Sequence, residues 1–334
     1  MTMTRRTRQQ LALALGLLAG AGLFVYMVVQ SGWQDVFSAL YSFGPLAFLG
    51  FFVLSLLNFC VYTWRWRLIL QGMSKHRISF FGLFFDRMAG FATGYLTPAA
   101  QVAGEPVRVA MLKTRGLSVA EATGSVVLDL AFEIGAFVAY VAAGILLAIF
   151  AGLGGASDYV LPLIFLGCLL GIVLSFFIFL ASGTRLFDRL AHSAPAHRFR
   201  FLREFFVWLF EVQGYMRHFL QGGKSRLFSV AFLSFVTVGF RAVESFYLLY
   251  FLGVILSARD AILLSTLPGL ALLLPIPGGL GIFEGSNAAA FTLLGLTVNA
   301  VAYTIVIRFR DALFILIGVI HAAKRGELLF EHRT

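Results

Sequence analysis

The sequence predicts an all-α polytopic membrane protein, a single integral domain over 1–334 with about six transmembrane helices and two re-entrant helical hairpins in an inverted repeat. Three observations lead there. Of 334 residues, 60% are hydrophobic and 13% charged, too little polar surface to cover a water-soluble globule of this size. Apolar runs at 11–29, 43–64, 122–150, 160–181, 227–252 and 298–322 reach or approach the roughly 20 residues that cross a bilayer as a helix. With Arg5, Arg6 and Arg8 in the cytoplasm, alternation through six spans leaves 21 of the 26 Lys and Arg residues in cytoplasmic segments. That is the positive-inside asymmetry, and it sets both termini in the cytoplasm.

The elements follow in order. The first span has an apolar core of about 19 residues and no small-x-small site before Trp33, so a retained signal anchor is expected rather than a cleaved signal peptide. External connections carry Asp35, Asp158 and the Arg259/Asp260 pair, whereas 185–226 holds eight basic residues against three acids. Between the second and third spans, residues 78–110 are broken at Leu96-Thr97-Pro98 through Gly104-Glu105-Pro106; residues 261–297 are broken at Pro275-Ile276-Pro277-Gly278-Gly279 through Glu284-Gly285. Each half is short for a crossing. Both segments read as re-entrant hairpins, one entering from each side, because Arg108, Lys113 and Arg115 must return to the cytoplasm while Arg259 and Asp260 lie outside. Irregular backbone at membrane depth survives only where protein or a wet cavity satisfies its amides. Residues 198–220 mix Phe, Trp and Leu with charge at helical spacing and predict an amphipathic helix on the cytoplasmic surface.

An offset of 179 residues aligns Pro98 with Pro277, Glu105 with Glu284, Gly90 with Gly269 and Asp129 with Arg308. The units, 43–150 and 222–328, are joined through the basic segment 182–226. They would have opposite orientation, the plan of many secondary transporters.

Charge inside the spans marks the candidate substrate-binding residues: Asp129 and Glu133 in the third, Arg241 and Glu244 in the fifth, Arg308, Arg310 and Asp311 in the sixth. Facing lipid at about 2.5–3.5 kcal/mol each, they would cost on the order of 20 kcal/mol, more than a fold has to spare. They must face inward and pair. Asp129 and Glu133 share a helical face and need a cation, for which Arg241 or Arg308 is expected; Arg241/Glu244 and Arg308/Asp311 form i, i+3 pairs of opposite sign. Such a network either holds helices in register or binds a headgroup, ion or proton. The hairpin tips add Gly104, Glu105 and Arg108, and Pro277, Gly278, Gly279, Gly281 and Glu284, a composition that frees amides to meet a polar ligand or simply makes a tight turn. Arg65 and Arg108 are placed for a phosphate-bearing headgroup, or as snorkelling anchors, and Trp64 and Trp66 as an interfacial belt.

Other function classes find no support. The distribution of charge argues against nucleic acid as a partner. Gly222-Gly223-Lys224-Ser225 lacks the first glycine of a phosphate loop, since His218 stands there. The six histidines show no zinc-ligand spacing, Cys60 and Cys168 fall inside spans as packing residues, and no Gly-x-Ser-x-Gly elbow occurs. No cofactor, metal or catalytic residue is indicated.

With PAAQVAGEPVR at 98–108, PIPGGLGIFE at 275–284 and Arg308-Phe309-Arg310-Asp311 on the page, the chain resembles, over nearly its whole length, the flippase-like membrane family. This family includes the transmembrane domain of lysylphosphatidylglycerol synthases and stand-alone bacterial proteins. The stretch Val126 to Glu133 (VVLDLAFE) looks most like the stand-alone branch associated with hopanoid biosynthesis. The resemblance implies multi-pass residence in the bacterial cytoplasmic membrane and transfer of lipid between leaflets. Gly104, Glu105 and Arg108 match its first motif; Pro277, Gly278, Gly279, Gly281 and Glu284 match its second. Ala103 stands where many relatives have Gly, so tip geometry need not be identical. The synthases' soluble aminoacyl-transferase domain is not expected before Thr334, so headgroup aminoacylation is not implied. The leading expectation is a lipid translocator whose partner is a membrane lipid. The rivals are a membrane-embedded lipid-modifying enzyme using Glu105, Glu284 or Asp129 as acid or base, and a non-catalytic scaffold for lipid-synthesis enzymes.

Overall fold

The computed structural model describes residues 29, 33–97, 103–152, 155–193, 199–266, 268, 282–296 and 300–331. The first expected span lies outside them except for Val29, and so do Pro98, Pro277, Gly278, Gly279 and Gly281. Among the described residues every regular element is helical. In chain order these are α1 (Trp33–Phe43), α2 (Pro45–Met73), α3 (Phe80–Leu96), α4 (Gly104–Lys113), α5 (Val119–Phe150), α6 (Ala156–Ser182), α7 (Leu186–Ala191), α8 (Arg200–Gln221), α9 (Lys224–Phe251), α10 (Ala258–Thr266), α11 (Ile282–Leu293) and α12 (Ala300–Glu331). The protein is an all-α polytopic membrane protein: α2, α5, α9 and the Tyr159–Ser182 part of α6 are each long and apolar enough to cross a bilayer. Helix α12 stands at the sixth expected span and carries Arg308, Arg310 and Asp311.

Local chemistry sets the helix ends. Pro45 opens α2, where its missing N–H costs nothing. Ser79 caps α3 by accepting from the Gly82 amide at 3.1 Å, and Ser118 caps α5 by accepting from Glu121 at 3.1 Å. Helix α9 stops where Gly253 takes φ 86°, a left-handed conformation that suits glycine. The Val254 amide then donates back to Leu249 O at 2.8 Å.

Helix α2 packs on α9, α3 on α12, and α10 on α5. Two of these contacts rest on glycine: a Cβ at Gly318 of α12 would strike the Met88 carbonyl of α3, and one at Gly144 of α5 would strike Thr266 of α10. Small residues let helices approach this closely where lipid supplies no hydrophobic push. Within the first hairpin, Gly104 sits against the Gly90 carbonyl in the same way, which holds α4 on α3. Phe59, Met88 and Phe314 close the core between α2, α3 and α12.

The outer surface is apolar. Leu161, Ile164, Phe165, Ile172, Leu174 and Ile178 of α6 are exposed, as befits a helix solvated by acyl chains. Cys168 is exposed on the same helix, so it does not pack inside the protein as expected. Helix α8 has the expected two-faced character: Val212, Met216 and Phe219 are buried with Ile69 and Leu128, while Phe201 and Phe205 stay exposed. Moving the ends of α2, α4 and α5 by 179 residues brings them within two residues of those of α9, α11 and α12.

Candidate functional site: a charged cavity among eight helices

The helical repeat puts Asp129 and Glu133 one turn apart on one face of α5. Three arginines from three other helices converge on them. Arg65 of α2 donates from Nε to Asp129 Oδ1 at 2.8 Å and from Nη2 to Glu133 Oε2 at 2.8 Å. Arg87 of α3 reaches Asp129 Oδ2 at 2.8 Å and Glu133 Oε2 at 3.0 Å. Arg108 of α4 donates to Asp129 Oδ2 at 2.6 Å and to Glu105 Oε2 at 2.7 Å. Three guanidinium groups thus meet three carboxylates, and this group is neutral. Arg65 and Asp129 are wholly buried, which such groups tolerate only when paired. Aromatic faces complete the packing: Arg108 lies 4.1 Å from the Trp66 ring centroid and Arg87 lies 4.7 Å from that of Tyr62.

A second group surrounds α12. Arg308 donates to Glu284 Oε1 of α11 at 2.7 Å and to the Tyr95 hydroxyl of α3. Tyr95 in turn donates to Asp311 Oδ2 at 3.2 Å. Arg310 bridges Asp311 at 2.8 Å, Glu244 of α9 at 3.1 Å and the Ser55 hydroxyl of α2 at 3.1 Å. Both groups border one cavity of about 450 Å³, walled by α2, α3, α4, α5, α9, α10, α11 and α12. Its lining includes Arg87, Arg108, Arg241, Arg308 and Arg310 and the carboxylates Glu105, Glu133, Glu244 and Asp311. A charged chamber inside an apolar helical assembly is what a polar group needs in order to leave water without losing its partners.

Several expected pairings are corrected. Asp129 does not pair with Arg308 or Arg241; its cations are Arg65, Arg87 and Arg108. Glu244 pairs with Arg310 rather than with Arg241 one turn before it. Asp311 takes its ion pair from the adjacent Arg310, while Arg308 turns to Glu284. Arg65 is no snorkelling anchor, because α2 continues to Met73 and buries it. Trp66 is likewise buried, its Nε1 donating to Ser125 Oγ at 3.4 Å, while Trp64 is exposed. Asp129 lies behind the cavity wall, and Gly104 makes a helix contact.

Sequence reasoning missed Arg87, Tyr62 and Tyr95, and it named Arg65 without the stripe Ser55, Asn58, Tyr62 and Arg65 to which it belongs. The stripe runs at spacings of three, four and three along α2, a helical period in an otherwise apolar run that marks a buried polar face. A further cluster also escaped. Asp86 of α3 accepts from Arg115 Nε at 2.6 Å and meets His321 Nε2 of α12 at 3.0 Å. Among the described residues no group of three or more His, Cys, Asp or Glu is gathered as metal ligands.

A family model described as the lysylphosphatidylglycerol synthase TM region matches residues 11–318. No curated protein matches the chain.

Proposed function

The chain belongs to the family of the lysylphosphatidylglycerol synthase TM region, and from that membership we propose that it is a lipid translocator carrying a polar-headed lipid between leaflets of the bacterial cytoplasmic membrane. The observation that carries this reading is the cavity itself, charge-lined and about 450 Å³, within helices whose outer faces are apolar. Unaided transfer strips water from a headgroup at a cost of several kcal/mol or more. Fixed ion pairs, the hydroxyls of Ser55 and Tyr95 and the amide of Asn287 offset that cost, while the tails remain among acyl chains. The carboxylates of the two hairpins, Glu105 and Glu284, are both engaged by arginine, which favours a fixed polar lining over the lipid-modifying alternative.

The matching ends of α2, α4 and α5 with α9, α11 and α12, and the reciprocal packing of α3 on α12 and α10 on α5, support an inverted repeat with the cavity between the units. Both termini lie in the cytoplasm on this reading. The likeness of Val126 to Glu133 to the hopanoid-associated branch makes lipids of hopanoid-producing membranes the first substrates to try.

Reconstitution tests the proposal. Liposomes containing the purified protein and a phospholipid with a fluorescent headgroup are exposed to a membrane-impermeant quencher. Inner-leaflet label should become accessible at a protein-dependent rate, with the lipid unchanged by mass spectrometry. No acceleration over empty liposomes would sink the translocator reading, and a chemically altered lipid would replace it with an enzyme.

A further inference from the structure

Five arginines line the cavity, and four are held by carboxylates: Arg87 by Asp129 and Glu133, Arg108 by Glu105 and Asp129, Arg308 by Glu284, and Arg310 by Glu244 and Asp311. Arg241 differs. Among the described residues its guanidinium makes no ion pair and no hydrogen bond, and it rests 5.3 Å from the centroid of the Phe137 ring. Glu244, one turn along α9, is the carboxylate that would ordinarily pair with it, but Arg310 already holds that group at 3.1 Å. The surplus carboxylate among Glu244, Glu284 and Asp311 balances Arg241 only from a distance. Counting Arg65, Asp129 and Glu284 just behind the lining, guanidinium and carboxylate groups balance, yet one guanidinium lacks a contact acceptor.

A second polar side chain of the lining is also unsatisfied. Asn58 of α2 is 9% exposed, lines the cavity, and has its Oδ1 buried without a hydrogen-bond partner. Left so, a buried polar atom carries its full desolvation cost. The amide nitrogen of Asn58 also makes no hydrogen bond among the described residues, so its N–H groups remain free donors on the lining. A guanidinium and a side-chain amide that line one cavity, both without a protein acceptor, are donors of the kind an oxyanion takes.

We propose that Arg241, with Asn58, is the oxyanion subsite of the cavity and takes the phosphate of the lipid headgroup. This deepens the translocator reading and rests on it. Phosphate suits these donors because it offers several oxygens, enough to accept from a planar guanidinium fork and from an amide. The paired arginines are unavailable for this, since each would first have to give up a carboxylate in a low-dielectric interior.

The test uses the full chain, purified in a non-ionic detergent, with fluorescent phosphatidylglycerol as probe and diacylglycerol of the same tails as the phosphate-free control. Arg241→Gln should weaken phosphatidylglycerol binding about ten-fold or more, the worth of a charge-assisted hydrogen bond, and leave diacylglycerol unaffected. Asn58→Leu, which removes the amide without touching charge, should weaken phosphatidylglycerol in the same selective way and serves if Arg241→Gln fails to fold. Competition by millimolar inorganic phosphate in the wild type but not in Arg241→Gln would place a free oxyanion in the subsite; indifference to it leaves the headgroup as the source. Phosphatidylglycerol binding at wild-type strength in both variants would overturn the inference. Transfer measured in parallel separates the two ideas: wild-type binding without transfer sinks translocation and leaves the subsite standing. Native binding and transfer in both variants sinks the subsite alone.

Discussion

Asp129 is the residue on which most of the buried charge depends. Its two oxygens serve three arginines from three helices at 2.6–2.8 Å, so neutralising it leaves Arg65, Arg87 and Arg108 facing one another with two carboxylates, Glu105 and Glu133, to balance three cations. Removing one member of a buried ion pair typically costs about 3–5 kcal/mol. Asp129→Asn should therefore lower the amount of folded protein in the membrane and its thermal midpoint in detergent. The second substitution that helps is set by geometry: Asp129→Asn with Arg65→Gln restores near-neutrality and should recover part of the loss. Asp129→Asn with Arg308→Gln should be worse than either single variant, because it also strands Glu284. Equal rescue by Arg308→Gln would contradict the pairing seen here.

At the scale of helices, the close crossings of α3 with α12 and of α5 with α10 hold the cavity walls together. Gly318 and Gly144 are where a side chain has no room, whereas Gly239 on α9 has nothing within 4 Å of the position a Cβ would take. Overpacking a tight interface costs typically about 1–3 kcal/mol. Gly318→Leu and Gly144→Leu should each lower the thermal midpoint of the purified protein, and Gly239→Ala should hold or slightly raise it, since alanine favours helix over glycine. A midpoint unchanged by both leucine variants would mean these crossings are looser than they look.

The long helices were legible in the sequence because span length answers directly to bilayer thickness; α5, α6 and α9 begin and end within a few residues of the apolar runs. Helix α2 was less so. Its apolar run stops at Trp64, but the helix runs on through Arg65, Trp66 and Arg67 to Met73, because α3, α4 and α5 cover that end and α5 supplies Arg65 with the carboxylates Asp129 and Glu133. Hydropathy cannot anticipate this, since it scores a charge by its cost in lipid and not by its partner. Which charges lie inside was equally readable. Their pairing was not: spacing along one helix says which groups share a face, whereas the bonds of Arg65, Arg87 and Arg308 all run between helices. Arg87 lies within an apolar stretch next to Asp86, and that adjacency suggests a local pair, whereas its carboxylates come from α5.

For the whole molecule the remaining issue is which side each connection faces, and the structure ties two of those answers together. Helix α3 has 17 residues and α4 has 10, or roughly 26 Å and 15 Å at the helical rise, against a hydrocarbon core of about 30 Å. With Gly104 seated on Gly90, α4 folds back along α3 instead of continuing across, so the chain after Arg115 should emerge on the side it left at Lys75. Asp86 then adds an independent constraint: it holds Arg115 and His321 together, which places the far end of α12 at the same membrane face. Reporters fused after Lys75, Arg115, His197 and Lys324 should therefore all report cytoplasm, and those after Asp35, Asp158 and Arg259 the outside. An external signal after Arg115 alone would mean that the first hairpin crosses, and the Asp86 cluster could not form. External signals after both Arg115 and Lys324 would keep the cluster and reject the expected orientation of α12. Only shared cytoplasmic signals at both fusions, with an external one after Arg259, agree with a first hairpin that enters and returns.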